Sequence, residues 1–186
     1  VRKFSTPPRK RYIEDWEILE ALKVASPFIA AYIRLKLLTG LRRGDLLSIK
    51  LSDLHSDGIH VTPRKTANST GKRMIISWSD ELLESIDIAK KLRKKVFSIW
   101  LFHTRQGQPY INDDGYAAGF SSIWQRFMAK VLSQTKVTER FTEHDLRAKV
   151  ASDTDGEHAR RLLGHATSEM TEKVYRRKPE VIHPTR

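Results

Sequence analysis

Residues 161–177 read RLLGHATSEMTEKVYRR. A Leu-Leu pair ends a helix at Gly164, His165 hangs from the turn, and Tyr175 follows ten residues later, just ahead of Arg176 and Arg177. Ten residues of unbroken helix would not align two side chains, so a break over 164–168 is needed to bring His165 and Tyr175 together. Leu162 and Leu163 would anchor the first helix, Met170 and Val174 the second. On this segment alone, Tyr175 reads as a core side chain, an interface anchor or a nucleophile. Residues elsewhere in the chain decide among these.

Just upstream lies EHDLR, 143–147. Thr142 is placed to cap a helix that starts at Glu143, with Asp145 completing a weak capping box. His144 and Arg147 are three apart and share a face of its first two turns. Free backbone N–H groups and the helix dipole favour an anion there, so an imidazole and a guanidinium make a phosphate site. Taken alone, the pair reads more readily as an ordinary polar face. A second piece is LLTGLRRGDLLSI, 37–49, in which Arg42 follows a glycine break and Asp45 stands three residues on. That spacing lets a carboxylate orient the arginine, or makes a plain surface ion pair.

The period of the pattern changes at Gly58. GIHVTP and RMIISW alternate as two strands of a hairpin, joined by the polar loop RKTANSTGK at 64–72. Lys65 sits just after the first strand, with Arg64, Lys72 and Arg73 nearby, a basic loop able to enter a DNA groove or to stay solvated. Helices are predicted over 13–24, 27–39, 79–96, 114–131, 143 onward and 157–163, with a short one after Gly40 and a last one capped by Ser168 and Glu169. WLFHTRQGQPY, 100–110, reads as a short extended piece and a turn. The fold class is α+β, mainly helical with a small antiparallel hairpin, and no internal repeat is evident.

With 186 residues, 39% hydrophobic and 30% charged, the chain suits one well-cored domain. It begins at Val1, which reads as a piece of a longer protein. A net charge of +12 attracts polyanions, and no apolar run approaches the ~20 residues of a membrane span, so nucleic acid is the expected partner. The absence of cysteine removes thiolate nucleophiles and Cys-based zinc sites, and fits a reducing cytoplasm. The seven histidines show no HExxH-type pair, so no dedicated metal and no cofactor are expected.

TGLRxxD, a hairpin lysine, HxxR, LLGH and then a tyrosine occur in that order over most of the chain. In this the sequence resembles the catalytic domain of the tyrosine recombinases, the phage integrase family. The resemblance runs from about Pro8 to Tyr175 and implies that family's DNA breaking-rejoining fold. It further implies that Tyr175 attacks a DNA phosphate to give a 3′-phosphotyrosyl link and a free 5′-hydroxyl. Arg42, Arg147 and His165 would bind the scissile phosphate, His144 would accept the tyrosine proton, and Lys65 would protonate the leaving oxygen. Lys72 competes with Lys65 for that last role. Asp45 would support Arg42, where the family more often has Glu, and Gly44 stands where a helix former is usual. Arg43, Arg64, Lys72 and Arg73 are the candidate DNA contacts.

By the resemblance, the family's N-terminal helical domain, which completes the clamp around DNA, and the further small domain of the arm-binding integrases are expected to be missing from this stretch. Residues 1–12 are accordingly read as a basic linker, 13–176 as the catalytic domain and 177–186 as a tail. That tail either docks on a neighbouring subunit or is simply a basic end. The resemblance implies a site-specific integrase of a phage or other mobile element, acting in the cytoplasm of a bacterial host without metal or ATP. Its partner would be double-stranded DNA at specific recombination sites. It would form a homotetramer on DNA and a monomer or weak oligomer as an isolated domain. Two other readings stand beside it. A type IB topoisomerase would relax supercoiled DNA without sequence preference, and a silent DNA-binding module would bind DNA but form no covalent adduct.

Overall fold

The computed structural model describes residues 9–64, 71, 73–93, 96–164, 171, 175, 177 and 178. Helix α1 spans Asp15–Lys23 and starts in a capping box between Glu14 and Glu17. Helix α2, Pro27–Thr39, is capped by Ser26, whose Oγ accepts from the Ile29 amide at 3.3 Å, with Pro27 in the first turn. It ends at Gly40, whose φ of +59° is the left-handed conformation glycine adopts without strain. α2 buries residues on nearly every side, which makes it the central helix. Tyr32 lies at the middle of an aromatic cluster with Phe102, Phe120 and Trp124, and Phe28 packs on the same group. Each such ring pair adds about 0.5–1.5 kcal/mol beyond the area it buries.

After α2 comes a five-residue helix, α3, at Arg43–Leu47, and a 3₁₀ turn at Leu51–Asp53. The chain then enters an antiparallel sheet in the order β1 (Leu54–His55), β2 (Gly58–Val61), β3 (Met74–Ser77). Leu54 pairs with Ile59, and Ile59 with Ile76. The sheet therefore has three strands where a two-stranded hairpin is predicted. β1 is two residues long, too short to show the alternation by which strands are read.

Helix α4 spans Asp80–Lys91 and is capped by Ser79, but it stops five residues short of the predicted end. Its buried stripe is Leu82, Ser85, Ile86 and Ala89; the next position inward is Arg93, which turns aside to donate to the Ser98 carbonyl at 2.5 Å. Helix α5 runs over Ala118–Gln134, three to four residues later than predicted at both ends. The delay comes from a turn in which the Asn112 side chain accepts from the Tyr116 amide at 2.6 Å and Gly115 takes φ +80°. α6, Glu143–Asp153, and α7, Gly156–Leu162, follow close to expectation. α6 packs against α2 and α7. Among the described residues no helix is long and apolar enough to cross a membrane. The predicted helix capped by Ser168 lies outside them.

Candidate active site

Two of the candidate residues, His144 and Arg147, emerge from α6. Its first turn is a full capping box: Thr142 Oγ1 accepts from the Asp145 amide at 3.2 Å, and Asp145 Oδ2 accepts from the Thr142 amide at 2.8 Å. The box fixes where the helix begins and so the face on which His144 and Arg147 emerge. Residues Asp145 through Ala151 are all buried, so α6 shows no polar stripe from which its orientation could be read.

Arg147 is 1% exposed. One Nη donates to the Gly40 carbonyl, at the end of α2, and the other to the Leu163 carbonyl, just past α7, at 2.7 Å. Two carbonyls from different elements thus hold the planar guanidinium in one orientation. Burial and the charge of Arg42 push its pKa down to about 10, against the opposing influence of Tyr175 and Asp45. The guanidinium stays protonated at neutral pH. That Arg42 exerts this influence places the two arginines in one electrostatic field.

Tyr175 is the aromatic member of that field. Its ring centroid is 5.4 Å from Arg147 Cζ and 5.3 Å from the His144 ring, which is inclined by 54°. The ring packs in a small cluster with Ala148, Ala151 and Leu163, and Tyr175 is 8% exposed. Its backbone is tied down as well. Ser152 Oγ lies 3.1 Å from the Tyr175 carbonyl oxygen and accepts from the Arg177 amide at 2.8 Å. No other tyrosine has these neighbours: Tyr32 is buried beside Glu143, Tyr12 donates to Asp153, Tyr110 packs on Phe28 and Phe120, and Tyr116 is exposed.

His144 remains accessible to solvent at the start of α6. Its pKa is lowered, first by desolvation and then by Lys36, Arg147 and Arg177, with Glu143 pulling the other way. At neutral pH it is an uncharged imidazole able to take a proton.

Arg42 caps α3 and is partly exposed, with Nη1 3.9 Å from Asp45 Oδ2. The expected support is present at long range. Asp45 makes its closer bond elsewhere, accepting from the Arg64 amide at 2.9 Å and so pinning the chain as it leaves β2. Arg43 reaches Ser121 Oγ at 3.4 Å and lies 4.0 Å from Glu143. The Arg64 side chain folds onto the carbonyls of Asn112 and Asp113 at 3.5 and 3.1 Å, while Arg73 is exposed. Lys65, Lys72 and His165 lie outside the described residues.

Several residues of this neighbourhood are not singled out by the sequence. Lys36 is fully buried and pairs with Glu143 Oε2 at 2.8 Å. Arg177 Nη1 meets Asp145 Oδ1 at 2.5 Å and donates to the Arg11 carbonyl at 3.0 Å. Asp145 is lowered in pKa: burial raises it, but the Thr142 backbone and the Arg177 guanidinium outweigh that. A readable sign existed for Lys36, a lysine set in the apolar helix stripe of Ile29, Tyr32 and Ile33. Arg177 carried none. Among the described residues no group of three or more His, Asp or Glu side chains is arranged to hold a metal ion.

The model of the Phage integrase family matches residues 14–180. The chain belongs to the phage integrase family. The integrase of Enterobacteria phage P21 is 24% identical over 164 residues, 86% of this chain and 43% of that protein. Lambda integrase fragment 75–356, solved as a dimer bound to a COC′ core site, superposes with a TM-score of 0.72 at 20% identity, covering all of this chain and 66% of that one. XerA recombinase gives 0.71 at 20% identity, over 95% and 62% of the two chains. The Tn1549 transposon integrase, in complex with a circular intermediate DNA, gives 0.73 at 16% identity, over 94% and 63%. The fold is therefore that of the integrase catalytic domain, and this family member spans less than half the length of the phage P21 protein.

Proposed function

We propose that this chain is the catalytic domain of a site-specific DNA recombinase that cuts and rejoins strands through a phosphotyrosyl intermediate with Tyr175 as nucleophile. The observation that carries it is the placing of one tyrosine ring within 5.4 Å of a buried arginine and 5.3 Å of a histidine whose pKa is lowered. A phenol attacks well only after losing its proton, and an uncharged imidazole beside it can take that proton. In the reaction, Tyr175 Oη forms a bond to phosphorus as the bond from phosphorus to the 5′-oxygen breaks in line. His144 takes the phenolic proton. Arg42 and Arg147 stabilise the charge that grows on the equatorial oxygens, more strongly in the transition state than in the ground state.

His165 is assigned to the same phosphate and Lys65 to protonating the leaving 5′-oxygen, with Lys72 the rival; these three assignments rest on the sequence motif. The bond energy is kept in the phosphotyrosyl link, so rejoining needs no ATP, and cationic side chains can carry the charge without a bound metal. The substrate is double-stranded DNA at specific sites, contacted by Arg43, Arg64, Lys72 and Arg73. The active assembly is a tetramer working in the cytoplasm of a bacterial host during integration or excision of a phage or other mobile element.

The test is covalent capture on a nicked suicide substrate whose 5′-hydroxyl fragment diffuses away. The wild-type chain should accumulate a protein–DNA adduct. Tyr175→Phe should form none while binding the same DNA with near-normal affinity. An adduct from the phenylalanine variant would remove Tyr175 from its role.

A further inference from the structure

α2 spends a fully buried position on a lysine, and Lys36 sits one turn before Gly40, whose amide donates to the Lys36 carbonyl at 2.9 Å. The Lys36 ammonium lies 2.8 Å from Glu143 Oε2. The Tyr32 hydroxyl is 3.5 Å from the same oxygen, and Arg43 Nε is 4.0 Å from Oε1. Glu143 opens α6, immediately before His144 and one turn before Arg147. Two ties thus join the end of α2 to the start of α6, each one turn from the other: Lys36 to Glu143, and the Gly40 carbonyl to Arg147. Movement at one tie displaces the other, because both lie along the same two helices.

Burial lowers the pKa of Lys36, as do the nearby charges of Arg147 and Arg43, while Glu143 raises it. An ammonium in that setting is an unfavourable way to fill space, since an apolar side chain of similar length would pack as well. What the ion pair supplies instead is a single geometry. Resting on the recombinase reading of this site, we propose that Lys36 and Glu143 are positioning residues: their ion pair, buried at the lysine and half-buried at the carboxylate, locks the end of α2 to the first turn of α6 and so aims His144 and Arg147 at the reacting phosphate.

The pair also sets the charge around His144. The groups that face that imidazole are Glu143, Lys36, Arg147 and Arg177, with the Tyr175 ring alongside. Glu143 is the anion of the set, and it carries a helix-start carboxylate where the dipole favours one. The two partners therefore act on His144 in opposite senses.

The test uses Glu143→Gln, Lys36→Met, the double variant and Glu143→Asp in the whole chain, with thermal unfolding followed for each. The His144 imidazole is titrated by NMR, and adduct formation is timed on the suicide substrate. Glu143→Gln should lower the His144 pKa and Lys36→Met should raise it, each by about half a unit or more. Glu143→Asp keeps the charge but shortens the arm; it should leave the His144 titration in place and slow adduct formation by about 10- to 100-fold through misplacement alone. The double variant, free of any unpaired buried charge, should melt close to the wild type and still react slowly. His144 values that stay fixed, or move the same way in both single variants, would overturn the proposal, as would a double variant of normal rate. Loss of the adduct in the wild-type chain would instead count against the recombinase reading, since the NMR titration needs no DNA.

Discussion

Arg147 and His144 divide the work of the site by their surroundings, although they stand one turn apart on the same helix. Arg147 is enclosed, doubly anchored on the Gly40 and Leu163 carbonyls, and remains charged even with its pKa pushed down to about 10. His144 is reachable by solvent and held below its ordinary pKa by desolvation and three neighbouring cations. The sign has a kinetic consequence. If the neutral imidazole accepts the phenolic proton, activity is lost as pH falls through the His144 pKa, which lies below the usual 6.5. The second-order rate of adduct formation, which reports the free enzyme, should rise with pH along a limb whose midpoint lies below 6.5. His144→Gln should lower the plateau and remove that limb. A rate that instead falls as pH rises through the His144 pKa would show that the imidazole works in its charged form.

At the scale of elements, the residues that build the site come from helix ends. Gly40 closes α2, Thr142 opens α6, Leu163 follows α7, and Arg42 opens α3. End signals are local chemistry, which is why the start at Pro27, the cap at Thr142 and the stop at Gly40 were legible in the sequence. The far end of α4 and the start of α5 were not, because Arg93 folding onto Ser98 and the Asn112 turn are tertiary and side-chain events with no periodicity. The HxxR pair was legible as a shared face, while the Arg177–Asp145 and Lys36–Glu143 pairs, 32 and 107 residues apart, needed the fold to bring them together. Gly40 gives this a direct test. A Cβ there would stand 2.9 Å from Leu163 Cδ2 and 3.2 Å from Val150 Cγ1, on a backbone at φ +59°. Gly40→Ala should cost about 2–4 kcal/mol from left-handed strain and overpacking together. Calorimetry should show Tm falling by about 5–15 °C for a chain of this size. Adduct formation should fall further than stability explains, since the Gly40 carbonyl that orients Arg147 moves too. A melting temperature unchanged by the substitution would contradict the close packing of α2 on α6 and α7.

For the molecule as a whole, the net charge of +12 is the property that, on the proposed reading, draws DNA to the site. It was the most legible feature of the sequence and the least specific, since charge attracts any polyanion and selects none. The structure separates the basic side chains by what already holds them. Arg64 lies on the carbonyls of Asn112 and Asp113, whereas Arg73, at the mouth of β3, is exposed. Arg73→Ala should therefore weaken DNA binding at low salt and reduce the slope of log K against log salt by about 0.9, one phosphate contact, with the melting temperature unchanged. Titrations at several salt concentrations measure this; an unaltered slope would take Arg73 out of the DNA interface. Lambda integrase, XerA and the Tn1549 integrase share the architecture of this chain at 16–20% identity.

All of this turns on which oxygen becomes bonded to DNA. Proteolysis of the captured adduct and mass spectrometry of the nucleotide-bearing peptide identify it directly. The expected product carries the nucleotide on Tyr175 through a 3′-phosphate, with a 5′-hydroxyl on the released strand. A nucleotide on any of the other four tyrosines, or a link through a 5′-phosphate, would contradict it.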